Sequence, residues 1–103
     1  MITVLWTFRI AQPLLVAELI AIIEQSAPNY LNVPGLVRKY FGLAKGGDSI
    51  VGIYLWADRA AADAFFTPAW VEAVTRRWGA PPQRQDWDTP MVVESQEGRL
   101  VRE

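Results

Sequence analysis

Residues Ile50 to Trp56 carry no charged side chain. They lie between a turn sequence, Gly46-Gly47-Asp48, and an acidic residue, Asp58. Successive residues of a strand point to opposite faces of its sheet. A strand that is apolar on both faces needs cover on both, so Ser49 to Ala57 reads as a central strand. The Gly-Gly-Asp turn is a strong hairpin signal and makes Leu36 to Lys45 its antiparallel neighbour.

Met1 to Ile10 reads as a further strand, rich in β-branched and aromatic residues. Ile2, Val4, Trp6, Phe8 and Ile10 fall on one face; Thr3, Leu5, Thr7 and Arg9 fall on the other. Pro13 sits where a first helical residue would, and a helix is expected from there to about Ala27. Its polar positions, Glu18, Glu24 and Gln25, form a narrow stripe, so cover on more than one side is expected. Pro28 ends it, and Asn29 to Gly35 reads as a loop. Asp58 can cap a short helix through Phe66. Thr67 followed by Pro68 can cap a second one, to Trp78, which Gly79 stops. After Ala80-Pro81-Pro82, Gln83 to Glu94 reads as the last strand. Residues 96–103 read as a polar, loose tail beyond a single domain of residues 1–95.

The order strand, helix, strand, strand, split helix, strand is the ferredoxin-like α+β pattern, an antiparallel sheet with its helices on one face. Two strands with apolar residues on both faces leave the other sheet face uncovered by the chain itself. A homodimer packed through the sheet faces is the expected remedy.

Composition narrows the chemistry. The chain has neither Cys nor His. That removes disulfides, thiol nucleophiles, thiolate and imidazole metal sites and the usual general base. Neither metal nor cofactor is expected, since no dinucleotide fingerprint follows the first strand. A net charge of -1 argues against nucleic acid as a partner. The most apolar stretch, Leu14 to Ile23, is too short for a bilayer and is broken by Glu18, so a cytoplasmic protein without a membrane partner is expected.

Val33-Pro34-Gly35-Leu36-Val37-Arg38-Lys39-Tyr40-Phe41 and Val51-Gly52-Ile53-Tyr54-Leu55-Trp56, with Asp58 to Phe66 and Gln85 to Pro90 after them, resemble the YdhR-like monooxygenases. These belong to the dimeric α+β barrel superfamily that includes the antibiotic-biosynthesis monooxygenases. The resemblance implies a homodimer with one pocket per subunit between sheet and helices. It also implies oxygenation of a small aromatic or quinol-like molecule by O2, with no cofactor. An electron-rich phenolate can itself give an electron to O2, and the protein then has to bind, deprotonate, orient and exclude water. The haem-degrading branch needs an axial His, which this chain lacks.

Tyr54 and Arg38 are the candidate catalytic residues: a phenol to bond a substrate oxygen, and a cation to stabilise a phenolate or a reduced oxygen species. Trp6, Tyr40, Trp56, Phe65 and Trp70 are candidates for a ring-binding wall, with core packing as the alternative. Tyr54 and Trp56 share a face with Gly52, which leaves space beside them. Arg38 and Lys39 point to opposite faces, so one of them approaches covered surface. Asp86 and Asp88 could supply a base or be plain edge carboxylates. Arg76 and Arg77 suit a helix C-terminus and are expected to be solvated. A non-oxidative isomerase or dehydratase, or a small-molecule-binding or stress-response dimer without catalysis, stands as the alternative function.

Overall fold

A computed structural model describes all 103 residues. The elements are β1 (Ile2–Arg9), α1 (Val16–Ser26), β2 (Leu36–Leu43), β3 (Ser49–Trp56), α2 (Arg59–Phe65), α3 (Pro68–Trp78), β4 (Gln83–Asp88), β5 (Met91–Glu94) and β6 (Arg99–Arg102), with a 3-10 turn at Ala27–Tyr30. Four antiparallel strands make one sheet in the order β2-β3-β1-β4. The uncharged strand β3 is therefore internal, as its composition requires. The fold is α+β and ferredoxin-like.

The register explains the core. Ile2, Val4, Trp6 and Phe8 of β1 stand opposite Trp56, Tyr54, Gly52 and Ile50 of β3. These residues share one face, and all but Gly52 join Leu19, Ala62 and Phe66 from the helix layer in a single apolar cluster. Phe66, at the junction of α2 and α3, contacts five other rings, Trp6, Tyr54, Trp56, Phe65 and Trp70, at centroid distances of 4.8–5.4 Å. Each such pair adds roughly 0.5–1.5 kcal/mol to the area term.

The caps read from the sequence are in place. Asp58 Oδ1 accepts from Ala61 N–H at 2.8 Å and Thr67 Oγ1 accepts from Trp70 N–H at 3.2 Å. Gly79 ends α3 at φ 83°, a left-handed conformation suited to glycine.

Three expectations are corrected. First, α1 begins at Val16, not at Pro13. Glu18 reaches back to accept Leu15 N–H at 3.1 Å, and this half of a capping box sets the start. The helix fully buries only Leu19, while Val16 and Ile20 stay exposed, so the chain itself covers one stripe of it rather than several sides.

Second, the last strand is interrupted at Thr89-Pro90. Proline has no N–H to donate, and Thr89 is tied back to the start of β1 through Met1 O and the Thr3 hydroxyl.

Third, residues 96–103 are not loose. Arg99–Arg102 pair with Met91–Glu94, Val92 lying opposite Val101 and Val93 opposite Leu100. Gly98, at φ 65°, makes the turn. Glu94 binds both Arg99 and Arg38. Arg38 belongs to β2, at the opposite sheet edge from β4, so this hairpin runs across the sheet face away from the helices. The polar composition that suggests a tail is the ionic lining of a hairpin.

Candidate functional site

The residues of β2 decide what faces the helices. Its register against β3 runs Leu36 to Trp56, then Arg38 to Leu55 and Lys39 to Tyr54, leaving Val37 as an extra residue. A bulge of this kind shifts the alternation by one. Leu36 therefore shares the helix-side face with Lys39, Phe41 and Leu43, while Arg38 and Tyr40 turn to the other face. Arg38 is 41 % exposed in its side chain and bonds Glu94; its Nη1 also donates to the Tyr40 hydroxyl at 3.3 Å. Neither Arg38 nor Tyr40 reaches the space between sheet and helices. The basic residue that does is Lys39.

That space is a cavity of about 260 Å³ between the sheet and helices α1 and α3. It is below the roughly 300–1,000 Å³ of drug-sized sites, so its occupant is small. Rings dominate the wall: Phe8, Tyr30, Phe41, Tyr54, Trp70 and Trp78. Polar groups are few, namely Lys39, Arg77, Gln25, Ser26 and Asn29 besides the two phenols, and no carboxylate lines the cavity. Nor does any group of three or more acidic residues converge elsewhere as a metal site.

Lys39 Nζ stands 3.3 Å from the ring centroid of Tyr30, 3.8 Å from Phe41 and 4.5 Å from Tyr54. Burial pulls its ammonium from the ordinary 10.5 down to about 7. An amine stripped of water loses much of the solvation that favours its charged form. The ring faces act in the other direction, since a cation over a π-face is attracted to it. The outcome is an amine that exchanges a proton near neutral pH, in a wall with no acid to hold it charged.

Tyr54 is 1 % exposed and lines the same cavity. Burial, followed by the neighbouring Tyr30 phenol, raises its pKa well beyond the ordinary phenol range, so it stays a protonated donor. A Cβ on Gly52 would lie 2.8 Å from the Tyr54 ring. The gap at Gly52 is thus taken up by that ring rather than left for a ligand.

Of the ring-binding candidates, Trp70 lines the cavity and Trp6, Trp56 and Phe65 do not. Trp6 and Trp56 are buried core, and each has an indole N–H without a partner. Phe65 packs between Tyr30 and Trp56, at 5.6 and 5.7 Å. Asp86 is held by Arg84 and Arg59, which keep its carboxyl below the usual range against the effect of its partial burial. Asp88 is open to water. Arg76 and Arg77 are exposed, as expected, and Arg77 also borders the cavity beside Trp78. The reading of the sequence did not assign Tyr30, Phe41 or Trp78 to a site. The bulge removes the pattern that would have pointed to Phe41, and Tyr30 sits in a turn with no periodicity to read.

No family model and no curated protein sequence matches the chain. Solved structures do. A monooxygenase from the gene ActVA-Orf6 of Streptomyces coelicolor, in complex with Nanaomycin D, is similar with a TM-score of 0.65 and 17 % identity over 89 % of each chain. SnoaB, a cofactor-independent oxygenase from Streptomyces nogalater, gives 0.64 and 18 % over 91 % of this chain and 97 % of that one. An antibiotic biosynthesis monooxygenase gives 0.66 and 17 % over 86 % of this chain and 98 % of that one. The chain has the fold of these antibiotic-biosynthesis monooxygenase proteins.

Proposed function

We propose that the protein is a cofactor-independent monooxygenase of a small aromatic or quinol-like substrate held in the cavity between sheet and helices. The observation that carries this reading is Lys39: a half-buried amine among rings, with no carboxylate partner, in a cavity sized for a small ring compound. Such a group suits a phenol. The neutral amine takes the phenol proton, and the ammonium then holds the phenolate, so the pair forms its own neutralising charge inside an apolar wall. The phenolate is the electron donor to O2, and the rings of Tyr30, Phe41 and Trp70 exclude water from it. Tyr54, fixed as a donor, orients a second substrate oxygen. The structurally similar ActVA-Orf6 monooxygenase and SnoaB, a cofactor-independent oxygenase, support this chemistry.

The test is oxygen uptake with a panel of quinols and phenols, without added metal or flavin. Uptake that saturates with substrate and requires the folded protein supports the reading. Uptake no faster than autoxidation overturns it. Tyr54→Phe keeps the ring and removes the hydroxyl. It is expected to lower turnover or affinity about tenfold while stability changes by about 1 kcal/mol or less; equal activity would remove Tyr54 from the site.

The same reading makes the protein a homodimer through the sheet face away from the helices. Tyr40 and Trp87 on this sheet face, and Val93 and Leu100 of the hairpin that crosses it, are exposed, apolar surface that a second copy would cover. Light scattering at micromolar concentration should give twice the chain mass, and Leu100→Asp with Val93→Asp should return it to one. A monomeric wild-type protein would end this part of the proposal.

A further inference from the structure

Lys39 and Lys45 are the two lysines of the chain, and their settings differ. Lys45 is exposed in the β2–β3 turn. Lys39 projects from the helix-side face of β2 into a partly open wall of rings, with Nζ within 4.5 Å of three ring centroids and without an ion pair. The charged and titratable groups that share its cavity are Arg77 from α3, Tyr54 from β3 and Tyr30 from the 3-10 turn; Gln25, Ser26 and Asn29 are neutral. None is an acid that would pin the amine as ammonium. A desolvated lysine of this kind is a nucleophile.

We infer that Lys39 captures small aromatic aldehydes and ketones as a reversible imine in this cavity. The amine nitrogen attacks the carbonyl carbon, a C–N bond forms as the C=O π bond breaks, and one nitrogen proton passes to the oxygen to give a carbinolamine. The hydroxyl then leaves as water with the remaining nitrogen proton, the C=N bond forms, and the hydroxyls of Tyr30 and Tyr54, which line the cavity, hydrogen-bond the departing oxygen. No oxidant or reductant is consumed. The rings accept the aromatic part, and the volume limits it to a small one. The shift of the Lys39 amine toward neutrality supplies free base at pH 7. This activity stands on the amine and its cavity, not on oxygenation, and is read without O2.

The experiment uses the wild-type protein with benzaldehyde and cyanoborohydride under nitrogen at pH 7, followed by intact mass and peptide mapping. Hydride traps the imine as a stable benzyl-amine, so each modified site is counted directly. The expected result is labelling at Lys39 at least tenfold ahead of Lys45 and of the Met1 amine, with the preference shrinking as pH is raised to 9. In Lys39→Arg, which keeps the charge but not the nucleophile, the fast label disappears while labelling at Lys45 continues. A small apolar carbonyl compound without a ring, propanal, should show a weaker preference for Lys39. Labelling of Lys39 at or below the level of Lys45 in the folded wild-type protein overturns the inference. Loss of oxygen uptake with labelling intact would refute the oxygenase reading alone.

Discussion

Lys39→Met is expected to give a protein that is more stable than the wild type at pH 7 and unable to turn over substrate. The side chain is about half apolar stem, and methionine retains that stem. What it removes is an amine held in a poor environment. The folded protein binds the Lys39 proton at about 7 against 10.5 for the ordinary amine, and at 1.36 kcal/mol per unit this is about 5 kcal/mol against the folded state at neutral pH. The ring faces offset about 2 kcal/mol of that by attracting the cation. A net gain of about 2–3 kcal/mol is therefore expected for the variant. The sign with pH follows from proton counting. Between pH 7 and 10.5 the unfolded chain holds a proton that the folded one has released, so wild-type stability rises with pH across this window. The variant lacks that rise, and its advantage should shrink from pH 7 to pH 9. Urea unfolding at the two pH values measures both effects. Turnover should fall by at least about a hundredfold, the usual weight of a proton-transfer group. An equally active variant would show that the amine is not used, and one less stable at pH 7 would show that it is not strained.

How much of this was legible in the sequence depends on where periodicity holds. On β1 and β3 strict alternation gives the right faces, because both strands are unbroken and pair in continuous register. The central place of β3, both caps of the split helix and the stop at Gly79 follow from residue types alone. On β2 alternation fails. Counted from Leu36, it puts Arg38 and Tyr40 on the core face, whereas the observed register puts Lys39 and Phe41 there. The extra residue at Val37 reverses the count, and nothing in Leu36-Val37-Arg38 announces a bulge: no glycine or proline marks it. The two adjacent bases made it certain that one would approach covered surface; the bulge chose Lys39. The terminal hairpin was hidden for a different reason. Residues 96–103, with Glu97, Arg99, Arg102 and Glu103 among them, look like a solvated tail until Glu94 is seen to bind both Arg99 and, from another part of the chain, Arg38.

Gly35→Ala should cost about 2–4 kcal/mol, among the largest losses from the smallest of changes, and should also disturb the cavity it does not touch. Gly35 has φ +78°, and a Cβ there would lie 2.4 Å from the Ala61 Cβ on α2. The left-handed conformation alone costs a non-glycine residue about 1 kcal/mol. The clash adds the 1–3 kcal/mol typical of overpacking, since α2 is held by the buried Ala62 on its inner face. Gly35 O also accepts Ala57 N–H at 2.7 Å, which joins the entry of β2 to the exit of β3. Moving this corner shifts the bulge just beyond it, and the bulge is what turns Lys39 inward. The Pro-Gly pair ahead of β2 thus has a mechanical role: the proline stiffens the approach, and the glycine lets the strand enter against α2. Thermal and urea unfolding give the stability loss. The aldehyde-trapping ratio of Lys39 to Lys45, measured well below the unfolding transition, reads the cavity separately. A loss under 1 kcal/mol with an unchanged ratio would mean that α2 yields freely and that the corner does not set the phase of β2.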